Sequence, residues 1–206
     1  MSSKTIKEFY KEKVTKEGMT EEYVRKSNST FYTNNFEAVS RWRKKYLLEY
    51  APIPEFKTNI YICGPGGIGK TVASRAVAKS LFPDAVNPYF QTFAKTRNLK
   101  WYDGQPVIIW DNCKSSDLLR MFGRQKLFDI LDPQPTDTKC KTNSGSVRLV
   151  NSINIINSTE PYDEFLMDYA KARKTKIRYV NCFQLLWNFM RMITIFSTTQ
   201  TCFQVY

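Results

Sequence analysis

The sequence predicts an α/β domain with a mostly parallel central sheet flanked by helices, preceded by a small helical N-terminal segment. Short apolar runs typical of buried strands alternate along the chain with stretches of helical periodicity. This alternation favours parallel strands joined by crossover helices. The 206 residues suit one domain with a short extension or two small domains, and a content of 42% hydrophobic and 15% aromatic residues is enough to bury a core.

The helical segment is predicted over residues 1–54, where it is a candidate oligomerisation region, and the α/β domain over residues 55–206. Apolar side chains recur in the segment at three- and four-residue steps, typical of an amphipathic helix: Phe36, Val39, Trp42, Tyr46 and Leu47. Basic residues between them predict a solvated basic face: Arg41, Arg43, Lys44 and Lys45. The prolines of Ala51–Pro54 end the helix and form a short linker.

The strands and helices of the domain follow from apolar runs and their periodicity. Uninterrupted apolar runs predict strands buried on both faces: Asn59–Cys63, Val107–Trp110 and Ile153–Ile156, with Ile193–Phe196 as a candidate last strand. Helical periodicity predicts helices over Thr71–Leu81, which Pro83 stops, and over Leu118–Leu131.

A glycine-rich turn joins the first predicted strand to the first predicted helix of the domain. It matches the phosphate-binding pattern G-x-x-x-x-G-K-[ST] at every fixed position: Gly64, Pro65, Gly66, Gly67, Ile68, Gly69, Lys70 and Thr71. Glycines let successive backbone N–H groups converge on an anion, and the following helix turns its positive dipole end to the same charge. Lys70 is placed to reach the β- and γ-phosphates and Thr71 to bind Mg²⁺. The turn therefore predicts a P-loop that binds ATP.

An acid at the end of the second apolar run completes the predicted metal site. Asp111 follows Val107–Trp110, and a carboxylate at the end of a buried strand can hold Mg²⁺ through its hydration shell. Thr71 and Asp111 are therefore the predicted metal ligands, and ATP and Mg²⁺ the predicted cofactors.

The amino-acid composition excludes some catalytic mechanisms and indicates the kind of partner and the cellular compartment. The chain has no histidine, which excludes Ser-His-Asp and Cys-His mechanisms and imidazole acid–base catalysis. A net charge of +12 indicates either a polyanionic partner or evenly solvated lysines and arginines. Five scattered cysteines are typical of reduced thiols in an intracellular protein. The charged start and the polar interruptions of the late apolar run predict a soluble protein without a membrane partner.

The motifs, taken in order, resemble the superfamily 3 helicase domain of Rep replication initiators from circular single-stranded DNA viruses and related plasmids. The resemblance covers about residues 60–196 and rests on these segments after the P-loop: Trp101-Tyr-Asp-Gly104, Val107–Asp111, Asp117-Leu-Leu119, Leu131–Pro135, Lys139–Lys141, Ser144–Val147 and Ile153–Pro161. It implies an AAA+-like P-loop ATPase that works as a homo-oligomeric ring on single-stranded DNA or RNA, in a host cytoplasm or nucleus.

The resemblance also implies roles for individual residues. Asn157, or Ser158 one place later, corresponds to the polar sensor that contacts the attacking water or γ-phosphate. Lys139 and Lys141 correspond to a basic loop on single-stranded nucleic acid. Arg191 corresponds to the arginine that completes a neighbouring subunit's site, with two alternatives: Arg178 and Arg173. Each of these residues has a plainer interpretation: Asn157 as a turn residue, the two lysines as part of a solvated loop, and Arg191 as a surface charge.

Two departures from the family pattern bear on activity. Relatives carry a second acid after the first, where this chain has Asn112. An amide cannot accept a proton, so hydrolysis is expected to be slow unless Asp117 or another acid substitutes. The family's nicking nuclease needs histidine, so the Tyr10–Lys13 segment is only a mimic of its tyrosine motif. The expected function is an ATP-driven motor. A weakened nucleotide-dependent accessory protein and a small-molecule kinase are the alternatives.

Overall fold

The structure is a computed structural model that describes residues 3–93, 99, 101–142, 145–165 and 203–205. Its helices are α1 (Ser3–Thr15), α2 (Glu21–Ser27), α3 (Ser29–Glu49), α4 (Lys70–Leu81), α5 (Ser115–Phe122) and α6 (Arg124–Leu131). Its strands are β1 (Thr58–Cys63), β2 (Tyr89–Phe93), β3 (Val107–Asp111), β4 (Lys139–Thr142), β5 (Gly145–Arg148), β6 (Ile153–Ser158) and β7 (Phe203–Val205). These elements form an α/β P-loop NTPase fold with a helical N-terminal segment.

The central sheet has the strand order β2-β3-β6-β1-β7. Strands β1, β2, β3 and β6 are parallel, whereas β7 pairs antiparallel with β1. The predicted mostly parallel sheet is thus confirmed. Because β6 lies between β1 and β3, its carboxyl end lies between the turn that follows β1 and the acid that ends β3.

The pleat of the strands sends alternate side chains to opposite faces of this sheet. On one face, Ile62, Ile109 and Ile155 pack with Ala78 of α4. On the other face, a larger cluster joins the sheet to α5 and α6: Tyr61, Trp110, Ile156, Leu118, Leu127 and Ile130. Strand β3 is buried along its whole length, as expected of a strand with helices on both sides.

The N-terminal helices pack around a small core of their own. Tyr10, Val14, Val24 and Val39 are its buried members, and the ring of Tyr10 stacks on Phe31 at 4.6 Å between centroids. Tyr10 is therefore a packing residue of this cluster.

A partly buried ion pair docks α3 onto the α/β domain. Arg43 Nε lies 2.6 Å from Asp103 Oδ1, and its Nη1 and Nη2 donate to the carbonyl oxygens of Gly18 and Asp103 at 2.7 and 2.9 Å. The prediction of a basic face is therefore wrong for Arg43, because its charge is satisfied inside the protein. Phe36 also departs from the predicted stripe: it is 53% exposed and lies next to a kink at Asn35.

Some predicted bounds change in the structure. Strands β1, β3 and β6 and helix α4 are confirmed, with extensions of one or two residues. The helix predicted over Leu118–Leu131 is instead two helices, because Gly123 between them has a left-handed φ of 71° that interrupts the helical backbone. Strands β2, β4 and β5 have no counterpart in the sequence prediction. The predicted strand Ile193–Phe196 lies outside the described residues.

Among the helices of the described residues, none combines the length and the apolar composition needed to cross a membrane.

Candidate functional site

The carboxyl ends of β1, β3 and β6 meet at one edge of the sheet, and the chain is tied there to β6. Gly64 N–H, just beyond β1, donates to the Ser158 carbonyl at 3.2 Å. Cys113 N–H, two residues beyond β3, donates to the Asn157 carbonyl at 2.9 Å. Both segments that leave the neighbouring strands are thus fixed relative to the end of β6. This is the edge at which open α/β sheets bind ligands.

The predicted P-loop lies at this edge, between β1 and α4. Its residues 65–69 are exposed, and those that follow Pro65 carry backbone N–H groups that can face an anion at the start of α4. Gly67 and Gly69 have φ values of 81° and 89°, a region that side chains other than glycine rarely adopt. Lys70 Nζ donates to the carbonyl oxygens of Gly64 and Pro65, each at 2.7 Å. Its ammonium group therefore contacts the loop in which a phosphate would bind.

Asp111 is at the centre of the site and is 7% exposed. The hydroxyl of Thr71 lies 2.9 and 3.1 Å from its two carboxylate oxygens. Both residues point to the face of the sheet that α4 covers. A hydroxyl and a carboxylate are oxygen donors of the kind that Mg²⁺ prefers, since Mg²⁺ usually takes one or two protein oxygens and completes its shell with water and phosphate. The two predicted ligands therefore fit the ion.

Asn157 lies beside Asp111 and on the same face of the sheet. Its Nδ2 donates to Asp111 Oδ1 at 3.0 Å, and its Oδ1 lies 2.7 Å from Ser74 Oγ on α4. The hydroxyl of Ser158, the alternative sensor, instead accepts from Glu160 N–H at 3.0 Å in the turn that follows. The geometry thus favours Asn157 over Ser158 for the sensor role, which itself stays a prediction.

Three further residues support this centre, two by direct contact and Arg75 through Gln91, and they were not found from the sequence. Gln91 Nε2 donates to Asp111 Oδ2 at 2.6 Å, and Arg75 donates to Gln91 Oε1 from Nε and Nη2 at 2.9 and 2.6 Å. Ser74 supports Asn157. Ser74 and Arg75 follow the P-loop by about one helical turn, a spacing that marks them as neighbours of the site. Gln91 lies on β2, which the sequence did not reveal.

Asn112 directly follows Asp111 and is exposed. Its φ of 50° is left-handed, a conformation in which asparagine and aspartate are enriched among residues with a Cβ. Asp117, the acid expected to substitute for a second carboxylate, is buried, and its Oδ1 accepts from Arg120 at 2.9 Å within α5. Its hydrogen bond is thus made within its own helix.

The predicted basic loop is part of a two-stranded hairpin, β4 with β5. Lys139 and Lys141 are exposed and point to the same side, because they alternate with Cys140, which is 2% exposed. Burial raises the pKa of the Cys140 thiol to about 11. Lys139 Nζ lies 3.3 Å from Asp137. Arg148 ties the hairpin to the linker that follows α3, because its Nη1 donates to the Ala51 carbonyl at 2.9 Å.

The arginines predicted to complete a neighbouring site lie outside the described residues: Arg191, Arg178 and Arg173. No group of three or more histidine, cysteine, aspartate or glutamate side chains able to hold a metal ion occurs in the described part of the chain.

Comparison with known proteins gives one informative match. Residues 60–160 match the family model described as RNA helicase. This supports a P-loop helicase domain over those residues, and with it nucleotide use and nucleic-acid binding in general. The matched range begins in β1 and ends just after β6, so it contains the P-loop, Asp111 and Asn157.

The other comparisons add little. No curated protein matches the sequence. Among solved structures, the crystal structure of NtrX from Brucella abortus is similar at 16% sequence identity and a TM-score of 0.36, over 71% of this chain and 39% of that one. This chain thus spans well under half the length of the NtrX chain.

Proposed function

We propose that the protein is an ATP-dependent helicase that acts on single-stranded nucleic acid during replication of a small viral or plasmid genome. One observation carries the proposal: the Thr71 hydroxyl and the Asn157 amide converge on Asp111 Oδ1, at 2.9 and 3.0 Å. A metal ligand, a strand-end acid and a polar sensor meeting beside a P-loop are the parts that phosphoryl transfer to water needs. The family match over the same residues supports the nucleic-acid side of the proposal.

The roles follow from the positions of the side chains. The loop amides and Lys70 bind the β- and γ-phosphates, and Thr71 and Asp111 hold Mg²⁺. The ion, when bound, neutralises charge that develops on the phosphate oxygens. Asn157 has Asp111 on one side and Ser74 on the other, so its amide is oriented before a substrate arrives. It orients the attacking water or the γ-phosphate. Asn112 can orient water but cannot take its proton.

The nucleic-acid track is assigned to the hairpin. Lys139 and Lys141 present two cations on one side of β4, where they can contact the phosphates of a nucleic-acid backbone. The net charge of +12 favours the approach of a polyanion. In a ring of identical subunits, Arg191 is the first choice for the residue that reaches the neighbouring ATP site. Arg178 and Arg173 are the next choices. The ring and the arginine are part of the proposal.

The second candidate function is a nucleotide-dependent accessory protein that binds nucleic acid but turns ATP over weakly. Asn112 favours it, because the position after Asp111 has no carboxylate and Asp117 is hydrogen-bonded to Arg120. In that case ATP is a structural ligand that orders the site.

One experiment separates the two functions. ATP hydrolysis is measured without nucleic acid, with single-stranded DNA and with single-stranded RNA, and Lys70→Ala serves as the control for contaminating ATPases. The motor predicts hydrolysis that nucleic acid stimulates and that Lys70→Ala abolishes. Tight nucleic-acid binding with hydrolysis that neither strand stimulates would support the accessory protein instead.

A further inference from the structure

We propose that Gln91, held in place by Arg75, is a positioning residue that orients the Asp111 carboxylate for the metal ion. The inference rests on the proposed function, because it assumes that Asp111 serves Mg²⁺ at a nucleotide site. It adds two residues on α4 and β2 that lie outside the P-loop, the acid and the sensor.

The first step concerns the direction of the Gln91 amide. Arg75 donates to Gln91 Oε1 from both Nε and Nη2, at 2.9 and 2.6 Å. A guanidinium group has donors only, so it can face the oxygen of the amide but not its nitrogen. The NH₂ group of Gln91 must therefore point the other way, which is toward Asp111 Oδ2 at 2.6 Å. Arg75 thus acts on Asp111 through Gln91.

The second step concerns the carboxylate. Asp111 Oδ2 accepts from Gln91 on β2, whereas Oδ1 accepts from Asn157 on β6 at 3.0 Å. Strands β2 and β6 are the two neighbours of β3 in the sheet. The carboxylate is therefore held from both sides by amides on adjacent strands, and its rotation about the side chain is restricted.

The third step concerns metal binding. The Thr71 hydroxyl donates its proton to Asp111, and its oxygen keeps lone pairs with which it can bind the ion. Gln91 and Asn157 hold the same carboxylate from the two adjacent strands, so they would keep it oriented when the ion is bound. Outer-shell partners of this kind typically contribute about 10- to 100-fold to metal affinity. A purely structural link between α4 and β2 would not affect metal affinity selectively.

The test separates metal binding from nucleotide binding. Binding of a fluorescent ATP analogue to the full chain is measured in EDTA and then across a Mg²⁺ titration, for the native protein, Gln91→Ala, Gln91→Leu and Arg75→Ala. Lys79→Ala removes an exposed charge from the same helix and is the matched control. Thermal unfolding checks that each variant is folded. Arg75 is exposed, so its substitution is the one best tolerated by the fold.

For both Gln91 variants we expect the half-saturating Mg²⁺ concentration to rise about tenfold. For Arg75→Ala we expect a smaller rise of about threefold, because the amide is then free to turn but is still present. Affinity in EDTA and the Lys79→Ala titration should stay unchanged. An unchanged Mg²⁺ midpoint in the folded variants would overturn the proposal, as would an equal loss of affinity with and without the metal. Native binding that ignores Mg²⁺ would overturn it too.

This test is independent of the motor. If nucleic acid fails to stimulate hydrolysis but the Mg²⁺ midpoint shifts as expected, then the positioning role stands and the helicase function fails.

Discussion

Strand β6 carries two fully buried asparagines, Asn154 near its start and Asn157 near its end, whose surroundings differ. All four hydrogen-bonding positions of the Asn154 amide are filled by neutral groups. Its Oδ1 accepts from Trp110 Nε1 and Asn151 Nδ2, each at 3.0 Å, and its Nδ2 donates to Asn59 Oδ1 at 2.8 Å and to the Ile130 carbonyl at 3.1 Å.

Asn157 has a different set of partners. Among the described residues it makes one contact with a carboxylate, Asp111, and one with a hydroxyl, Ser74. An amide can make four hydrogen bonds, so these two contacts leave part of the hydrogen-bonding capacity of Asn157 unused. Asn154 and Asn157 are thus alike in residue type and burial. They differ in how many positions of the amide are filled and in which end of the strand they occupy.

The largest effect on activity is expected from a substitution of Asn157, whose amide is not saturated. Asn157→Ala should lower kcat about 10²- to 10³-fold, the usual cost of removing one preorganised donor. Its effect on stability should be small, because Ser74 keeps the Lys70 carbonyl as a partner at 2.9 Å. Steady-state ATP hydrolysis and thermal unfolding measure the two effects. Ser158→Ala is the control for the neighbouring position. A greater loss of activity in that control would move the sensor by one residue.

A substitution of Asn154, whose amide is saturated, should affect stability more than turnover. Asn154→Ala leaves buried partners unpaired, among them the Trp110 indole N–H, so the free energy of unfolding should fall by about 2–3 kcal/mol. Turnover by the folded fraction should stay within about twofold of the native rate, since no contact with the nucleotide is lost. Urea unfolding and ATP hydrolysis measure the two quantities, with exposed Asn87→Ala as control. Full stability with lost turnover would contradict the division between the two ends.

Asn112 is a third asparagine near the site, and its amide can donate a hydrogen bond but cannot accept a proton from water. Asn112→Asp should raise kcat by about tenfold or more if general-base help is what the native site lacks. Nucleotide affinity should change little. Aspartate is preferred to glutamate here because the backbone has a φ of 50°, which aspartate tolerates better. Brisk hydrolysis by the native chain, or no gain in a variant that still binds ATP, would refute this account of Asn112.

The hairpin of β4 and β5 also has buried and exposed positions side by side. Cys140 is buried, whereas Lys139 and Lys141 on either side are exposed. The double variant Lys139→Ala, Lys141→Ala should reduce the slope of log affinity for single-stranded nucleic acid against log salt by about 1.4, from about 0.7 for each lost phosphate contact. Fluorescence anisotropy at several salt concentrations measures the slope. Lys7→Ala with Lys79→Ala removes the same charge elsewhere. An equal change in that pair would indicate a general charge effect.

The parts of the molecule that the sequence predicted are those set by neighbouring residues. The P-loop is a contiguous pattern, and β1, β3 and β6 are apolar runs that end in polar residues. Asn157 followed from the order of motifs in a family and not from its own surroundings.

The parts that the sequence did not predict depend on contacts between distant segments. The sequence around Arg43 predicts a basic helix face, because its partner Asp103 lies 60 residues further along the chain and only the fold brings the two together. Strand β2 (Tyr89–Phe93) mixes apolar and polar residues and has only one buried member, so neither it nor Gln91 is visible as a pattern. The saturation of Asn154 depends on residues from β1, β3 and α6, which only the fold brings together.

Calorimetric titration of Mg·ATP tests whether the P-loop and Asp111 form one nucleotide site. The native protein should bind one nucleotide per chain. Lys70→Ala should reduce that affinity at least about 100-fold while it leaves the unfolding temperature unchanged, because it removes the charge that faces the terminal phosphates. A folded Lys70→Ala protein that binds Mg·ATP as tightly as the native chain would contradict the account.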